Sequence, residues 1–163
     1  MTRKKILEKK FKTYRIYPLH HMIFYSCLSV STRDNFTDYL IKEFISNDLN
    51  LPTYSKPELI EHMVSNIENV PLYKLYSNQS SVRVNELREI LTDQGLRWNG
   101  VRVPFQTHIS LYTYDLITKL SKRTETIGEV IELAIEYYLI SVSDDHYKII
   151  KLAFKNNIKD NST

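Results

Sequence analysis

Five histidines (His20, His21, His62, His108, His146), one cysteine (Cys27) and nineteen carboxylates are the residues with which this 163-residue chain could do covalent or metal chemistry. Their spacing does not assemble a site. No HExxH and no two-plus-two arrangement of Cys or His occurs, so a tetrahedral metal set is not expected. No GxSxG places a serine on a nucleophile elbow. With three glycines in the chain, neither GxGxxG nor GxxxxGK[ST] is present to cradle a phosphate. The carboxylates are scattered and fall at helix starts, where favourable interaction with the helix dipole accounts for them. No enzymatic activity, cofactor or metal is therefore expected.

Charge is the other chemistry. The first fifteen residues hold Arg3, Lys4, Lys5, Lys9, Lys10, Lys12 and Arg15 against one acid, Glu8. The whole chain is only +3, so this arm is attached to a mildly acidic body. A basic arm suggests a polyanionic partner, and it also suits a solvated terminus.

Hydrophobic content of 42% with 25% charged residues allows a packed core. The single cysteine excludes an intrachain disulfide and fits a reducing compartment. No apolar stretch approaches the ~20 residues of a membrane span, and the N-terminus lacks a signal-peptide apolar run, so no membrane partner and an intracellular location are expected.

The elements that must position any site show an internal repeat. Phe24-Tyr-Ser-Cys-Leu-Ser-Val-Ser-Thr-Arg-Asp34 aligns with Phe105-Gln-Thr-His-Ile-Ser-Leu-Tyr-Thr-Tyr-Asp115. Both alternate with period 2, which predicts two half-buried strands. The inward set is Phe24, Ser26, Leu28, Val30 and Phe105, Thr107, Ile109, Leu111. The outward set is Tyr25, Cys27, Ser29, Ser31 and Gln106, His108, Ser110, Tyr112. Each strand leads into helical spacing: Phe36, Leu40, Ile41, Phe44 after Thr32, and Leu116, Ile117, Leu120 after Thr113. Both threonines are expected N-caps. Two capping boxes, Ser55-Lys-Pro-Glu58 and Thr126-Ile-Gly-Glu129, open a second helix in each copy.

Between the copies, Ser81 to Gln94 reads as an amphipathic helix stopped by Gly95, and residues 96–103 as a hairpin turning at Asn99-Gly100. Arg97, Trp98 and Arg102 are either a small DNA-touching wing or, respectively, solvated arginines and a tryptophan on the core. A last helix runs from Ser143 to about Asn157, either covering the core or forming an interface between molecules. The expected organisation is a basic arm (1–22), a first unit (23–67), a connecting segment (68–104), a second unit (105–140) and a C-terminal helix and tail (141–163).

Strand, helix and helix, twice in this order, resemble the ribbon-helix-helix family of MetJ/Arc-type repressors. Ile109-Ser-Leu-Tyr-Thr-Tyr-Asp-Leu-Ile-Thr-Lys-Leu120 is similar to the family's strand and first helix, and Thr126 to Leu139 to its second. The chain also resembles the tandem regulators of archaeal filamentous viruses, which carry both halves in one polypeptide. The resemblance implies a mainly α fold with a two-stranded antiparallel ribbon, a pseudo-dimer formed within one chain. It implies a transcriptional regulator of double-stranded DNA, with the ribbon in the major groove. The outward residues of both strands would meet bases, and the second-helix N-termini, Ser55-Lys56 and Thr126-Ile127, would clamp phosphates. Arg3, Lys4 and Lys5 would add backbone attraction. Alternatives from the same reading are a DNA-coating or relaxosome-type assembly protein, or a protein-interaction module.

Overall fold

A computed structural model describes residues 9–32, 35–48, 81–97, 100–111, 113–114 and 127–161. Five helices and one small antiparallel sheet make up the described fold. In chain order these are β1 (Lys9–Ile16), α1 (Pro18–Ser29), α2 (Phe36–Asp48), α3 (Ser81–Asp93), β2 (Val103–Ser110), α4 (Ile127–Ser141) and α5 (Asp144–Asn161). Among the described residues no helix is long and apolar enough to cross a membrane.

The two strands pair over eight residues, from Lys9 opposite Ser110 to Ile16 opposite Val103. Their alternation separates two faces. Tyr14, Ile16, Phe105, Thr107 and Ile109 are buried, while Thr13, Arg15, Pro104 and Gln106 are exposed. Pro104 lacks a ladder donor, and a two-stranded ribbon tolerates it because each strand has a free edge.

The ribbon differs from the expected one. β2 lies two residues before the expected 105–112, and its inward set Phe105, Thr107 and Ile109 is as expected. Its partner, however, is the basic arm and not residues 24–31. Those fall in α1 and the turn after it, so Leu28 and Ile109 are not paired, and the expected boundary at residues 22–23 lies inside a helix. The physical reason is a helical stripe that overrides the local alternation. Pro18 stands at the first helical position, where its missing N–H costs nothing. Leu19, Ile23, Phe24 and Cys27 then recur at i, i+4, i+5 and i+8, and all are buried. Ser26 and Ser29 suit this helix because each returns its hydroxyl to a backbone carbonyl, Met22 O at 2.8 Å and Ser26 O at 2.9 Å.

α2 buries the expected Phe36, Leu40, Ile41 and Phe44, with Ile45. It opens after Asn35 (φ 55°), a left-handed position that asparagine tolerates, and not at Thr32, which is exposed. α3 buries Val84, Leu87 and Leu91. It ends at Gly95 (φ 77°) in a Schellman motif: Leu96 N–H donates to Leu91 O and Gly95 N–H to Thr92 O. The expected hairpin over 96–103 is not seen; Val103 pairs with Ile16, and residues 98–99 lie outside the described residues. α5 buries Tyr147, Ile150, Phe154 and Ile158 along one stripe, leaving Ile149 and Leu152 exposed at 52% and 61%.

The core lies beneath the ribbon. α2 packs on α4, α2 also on β2, and α4 on β1. α5 and α3 close the other side against α1 and α4. Phe24 stands edge-on to Phe105 at 4.7 Å and Phe36 edge-on to Tyr138 at 5.1 Å, which ties the ribbon floor to the helices. Arg83 of α3 caps the end of α4, donating to Val142 O (2.7 Å) and Leu139 O (2.9 Å) while pairing with Asp144. A guanidinium there satisfies carbonyls that the last helical turn leaves open.

Candidate nucleic-acid interface

The outer ribbon face is the candidate site. Thr13 lies opposite Gln106 and Arg15 opposite Pro104, and all four are exposed. β1 carries four cations in eight residues (Lys9, Lys10, Lys12, Arg15) and no acid; β2 carries no Asp, Glu, Lys or Arg. The formal positive charge of the ribbon therefore belongs to one strand, with Lys9 and Arg15 in the register of the exposed residues.

Each strand runs directly into a helix. Tyr17 follows β1 and takes an extended conformation (φ −63°, ψ 149°), and its carbonyl accepts the first bond of α1, from His21 N–H at 3.0 Å. Ser110 ends β2, after which Leu111, Thr113 and Tyr114 are helical. Its Oγ accepts the Thr113 N–H at 3.1 Å, which makes Ser110 the cap expected of Thr113.

A buried carboxylate fixes one end of the ribbon. Glu132 of α4, 4% exposed, accepts Arg102 Nε and Nη2, each at 3.0 Å, and Tyr17 N–H at 2.8 Å. The Arg102 guanidinium also lies 4.3 Å from the Tyr17 ring centre, and the Glu132 hydrogen bonds raise its pKa further. Arg15 Nη1 donates to Arg102 O at 3.2 Å, so this exposed cation is oriented by a backbone that is itself pinned. At the other end, α2 meets β2: Thr107 Oγ1 donates to Thr37 Oγ1 at 2.6 Å, and Ser110 N–H donates to Asp38 Oδ1 at 2.9 Å. A shallow groove of about 250 Å³ opens there between Asn35, Thr37 and Gln106.

Of the expected base-contacting residues, Gln106 is exposed on β2 and His108 sits on β2 opposite Phe11. Ser110 is buried, because its hydroxyl is the helix cap just described. Tyr112 lies outside the described residues. Tyr25, Cys27 and Ser29 belong to α1 and Ser31 follows it, so none is on the ribbon. Cys27 is 1% exposed, and burial pushes its thiol up to about 12. Tyr25 is partly exposed but stacks with His21 at 4.8 Å. The His21 imidazole is lowered from its ordinary value by the same burial.

Among the expected phosphate contacts, Ile127 opens α4. Ser55, Lys56, Thr126, Arg3, Lys4 and Lys5 lie outside the described residues. Arg102, read as a DNA-touching wing or a solvated side chain, is held by Glu132. Sequence reasoning missed Thr13, Arg15 and the lysines of β1 as strand residues. The available signal was Tyr14 and Ile16 alternating with Thr13 and Arg15, ending two residues before Pro18. Among the described residues no group of three or more His, Cys, Asp or Glu could hold a metal ion. Comparison with protein-family models, with curated proteins and with solved structures returned no match.

Proposed function

We propose that this chain is a tandem ribbon-helix-helix pseudo-dimer that binds double-stranded DNA through the outer face of its ribbon and regulates transcription. The first half is β1, α1 and α2; the second is β2, the helical residues Leu111, Thr113 and Tyr114, and α4. The observation that carries this reading is the crossed packing. α2 of the first half lies on β2 of the second, α4 of the second lies on β1 of the first, and the two helices pack on each other. This is the relation expected of two intertwined copies around a shared ribbon.

A two-stranded ribbon fits the major groove, where each base pair presents its own pattern of donors and acceptors. Arg15 and Gln106 have the donors to read it, and the cations of β1 supply attraction to phosphates. In this arrangement the first phosphate clamp is the N-terminus of α2 at Asn35–Thr37, beside Gln106, instead of Ser55-Lys56. The positive dipole end of the helix would face the phosphate there.

Fluorescence anisotropy on duplex DNA across a salt series tests this. If the four cations of β1 all meet phosphates, the log–log salt slope is roughly −3 to −4 from them alone. The Arg15→Ala/Gln106→Ala variant is expected to lose preference for a selected site while retaining part of its binding to random duplex. No binding even at low salt would sink the proposal.

A second reading, a protein that coats DNA by lateral association, is favoured by the exposed Ile149 and Leu152 on α5. It requires binding that becomes cooperative with duplex length and weakens on Leu152→Asp.

A further inference from the structure

Homodimeric ribbons present the same residues twice and meet symmetric sites; here the two strands differ, and the register fixes how. Tyr17 and Ser110, the residues at the two strand-to-helix junctions, are 93 positions apart, and so are Thr13 and Gln106, which face each other in the ribbon. The Thr13–Gln106 pair is therefore the ribbon's centre, through which the relation between the halves passes. Rotation about that centre exchanges the position of Arg15 with that of His108, and the position of Pro104 with that of Phe11.

The two ends are thus chemically unlike. At one, the exposed Arg15 carries a five-donor guanidinium, and Pro104 opposite it offers no side-chain donor or acceptor. Arg15 is oriented there by its bond to Arg102 O, and Arg102 by Glu132. At the other end no arginine occurs in the register, where His108 is paired with Phe11 and Lys9 with Ser110. Even the central pair is unsymmetric, a threonine against a glutamine. All four formal charges also lie on β1, so turning the ribbon over moves the cationic strand to the opposite wall of the groove.

We propose that the ribbon recognises an asymmetric, non-palindromic duplex site, one molecule binding in a single orientation, with Arg15 setting a G·C preference at one end only. This rests on the DNA-binding reading above and specifies the class of site. An arginine fork matches guanine O6 and N7 bidentately, and the position related to Arg15 by the rotation holds His108, which carries no such fork. A palindrome would offer Arg15 its guanine in either orientation, but would place the wrong half under the opposite end each time.

The test is enrichment from a duplex pool with a randomised central segment, using the full chain, followed by titration of the best duplex and of two palindromes made by doubling each of its halves. The expected result is an asymmetric motif with G·C at one end, and the palindrome that doubles the half without that guanine binds about tenfold or more weakly, the factor one good bidentate contact carries. Arg15→Lys, which keeps the charge but not the fork, is expected to erase the preference at that end alone while the thermal melt is unchanged. A palindromic motif, or the guanine-lacking palindrome bound as tightly as the enriched site, would overturn the proposal and leave DNA binding standing. Absence of any salt-sensitive binding would overturn the DNA-binding reading and this proposal with it.

Discussion

Glu132→Ala should destabilise the fold more than any surface substitution, and the size follows from its contacts. The carboxylate accepts three hydrogen bonds, two from Arg102 and one from the Tyr17 N–H. Bonds to charged groups contribute about 1.5–3 kcal/mol each, and an orphaned buried N–H costs about 1–3 kcal/mol. Arg102 is 27% exposed in its side chain, so water takes up part of its charge once Glu132 is gone. That puts the Arg102 share at the low end of the range and the total at roughly 2–4 kcal/mol. For a chain of this size the melting temperature should fall by roughly 5–15 °C. Urea unfolding followed by circular dichroism measures it, as a lower midpoint at unchanged slope. Glu132→Gln, which keeps an acceptor for Tyr17 but loses the charge, should fall between. A double-mutant cycle with Arg102→Met should give a coupling of about 1 kcal/mol or more. A loss within about 0.5 kcal/mol, or additive single effects, would refute the reasoning.

Two further outcomes follow from other parts of the molecule. Cys27 should react with thiol reagents at pH 8 about a thousandfold more slowly in the native chain than in urea, since burial holds its thiol near 12; rapid native labelling would mean α1 does not bury this face. Glu86 is held below the ordinary carboxylate range first by the Tyr147 hydroxyl at 2.5 Å and then by Lys151 at 3.0 Å. A lowered carboxylate binds fewer protons folded than unfolded, so its contribution is present above about pH 4.5 and is lost as the pH falls through the folded value. Glu86→Gln should flatten the acid limb of the stability profile, and an identical limb in the variant would refute this.

The elements legible in the sequence were those whose pattern agreed with their environment. Val84, Leu87 and Leu91 repeat at helical spacing up to a glycine stop, and Phe105, Thr107 and Ile109 alternate against charge-free neighbours. What misled was β1 and α1. In β1, Lys9, Lys10 and Lys12 precede Tyr14 and Ile16, and the one apolar residue among them, Phe11, falls on the opposite phase, so the first half of the strand carries no inward hydrophobic signal. Its strand character comes from backbone pairing with residues some ninety positions away. In α1, serines at 26, 29 and 31 made an eight-residue window alternate, whereas the stripe deciding the matter begins earlier, at Leu19. The expected site followed the same division: Gln106 was placed correctly on β2, and Arg15 was read as part of a loose arm. Ser110 looked like a surface reader because its cap bond to Thr113 depends on where the strand ends, which alternation alone does not determine.

The pairing of Lys9–Ile16 with Val103–Ser110 also has a consequence for synthesis. More than 80 residues separate the strands, so at usual translation rates β1 waits roughly 5–20 s for its complement to be made. During that interval it is an unpaired edge, and neighbouring nascent chains on one message hold identical edges close by. Exchange of strands between two such chains would recreate every ribbon contact in an intertwined dimer. Repulsion between lysine-rich edges opposes that encounter. The cations of β1 therefore have a use before the fold exists: they keep each strand available for the partner in its own chain.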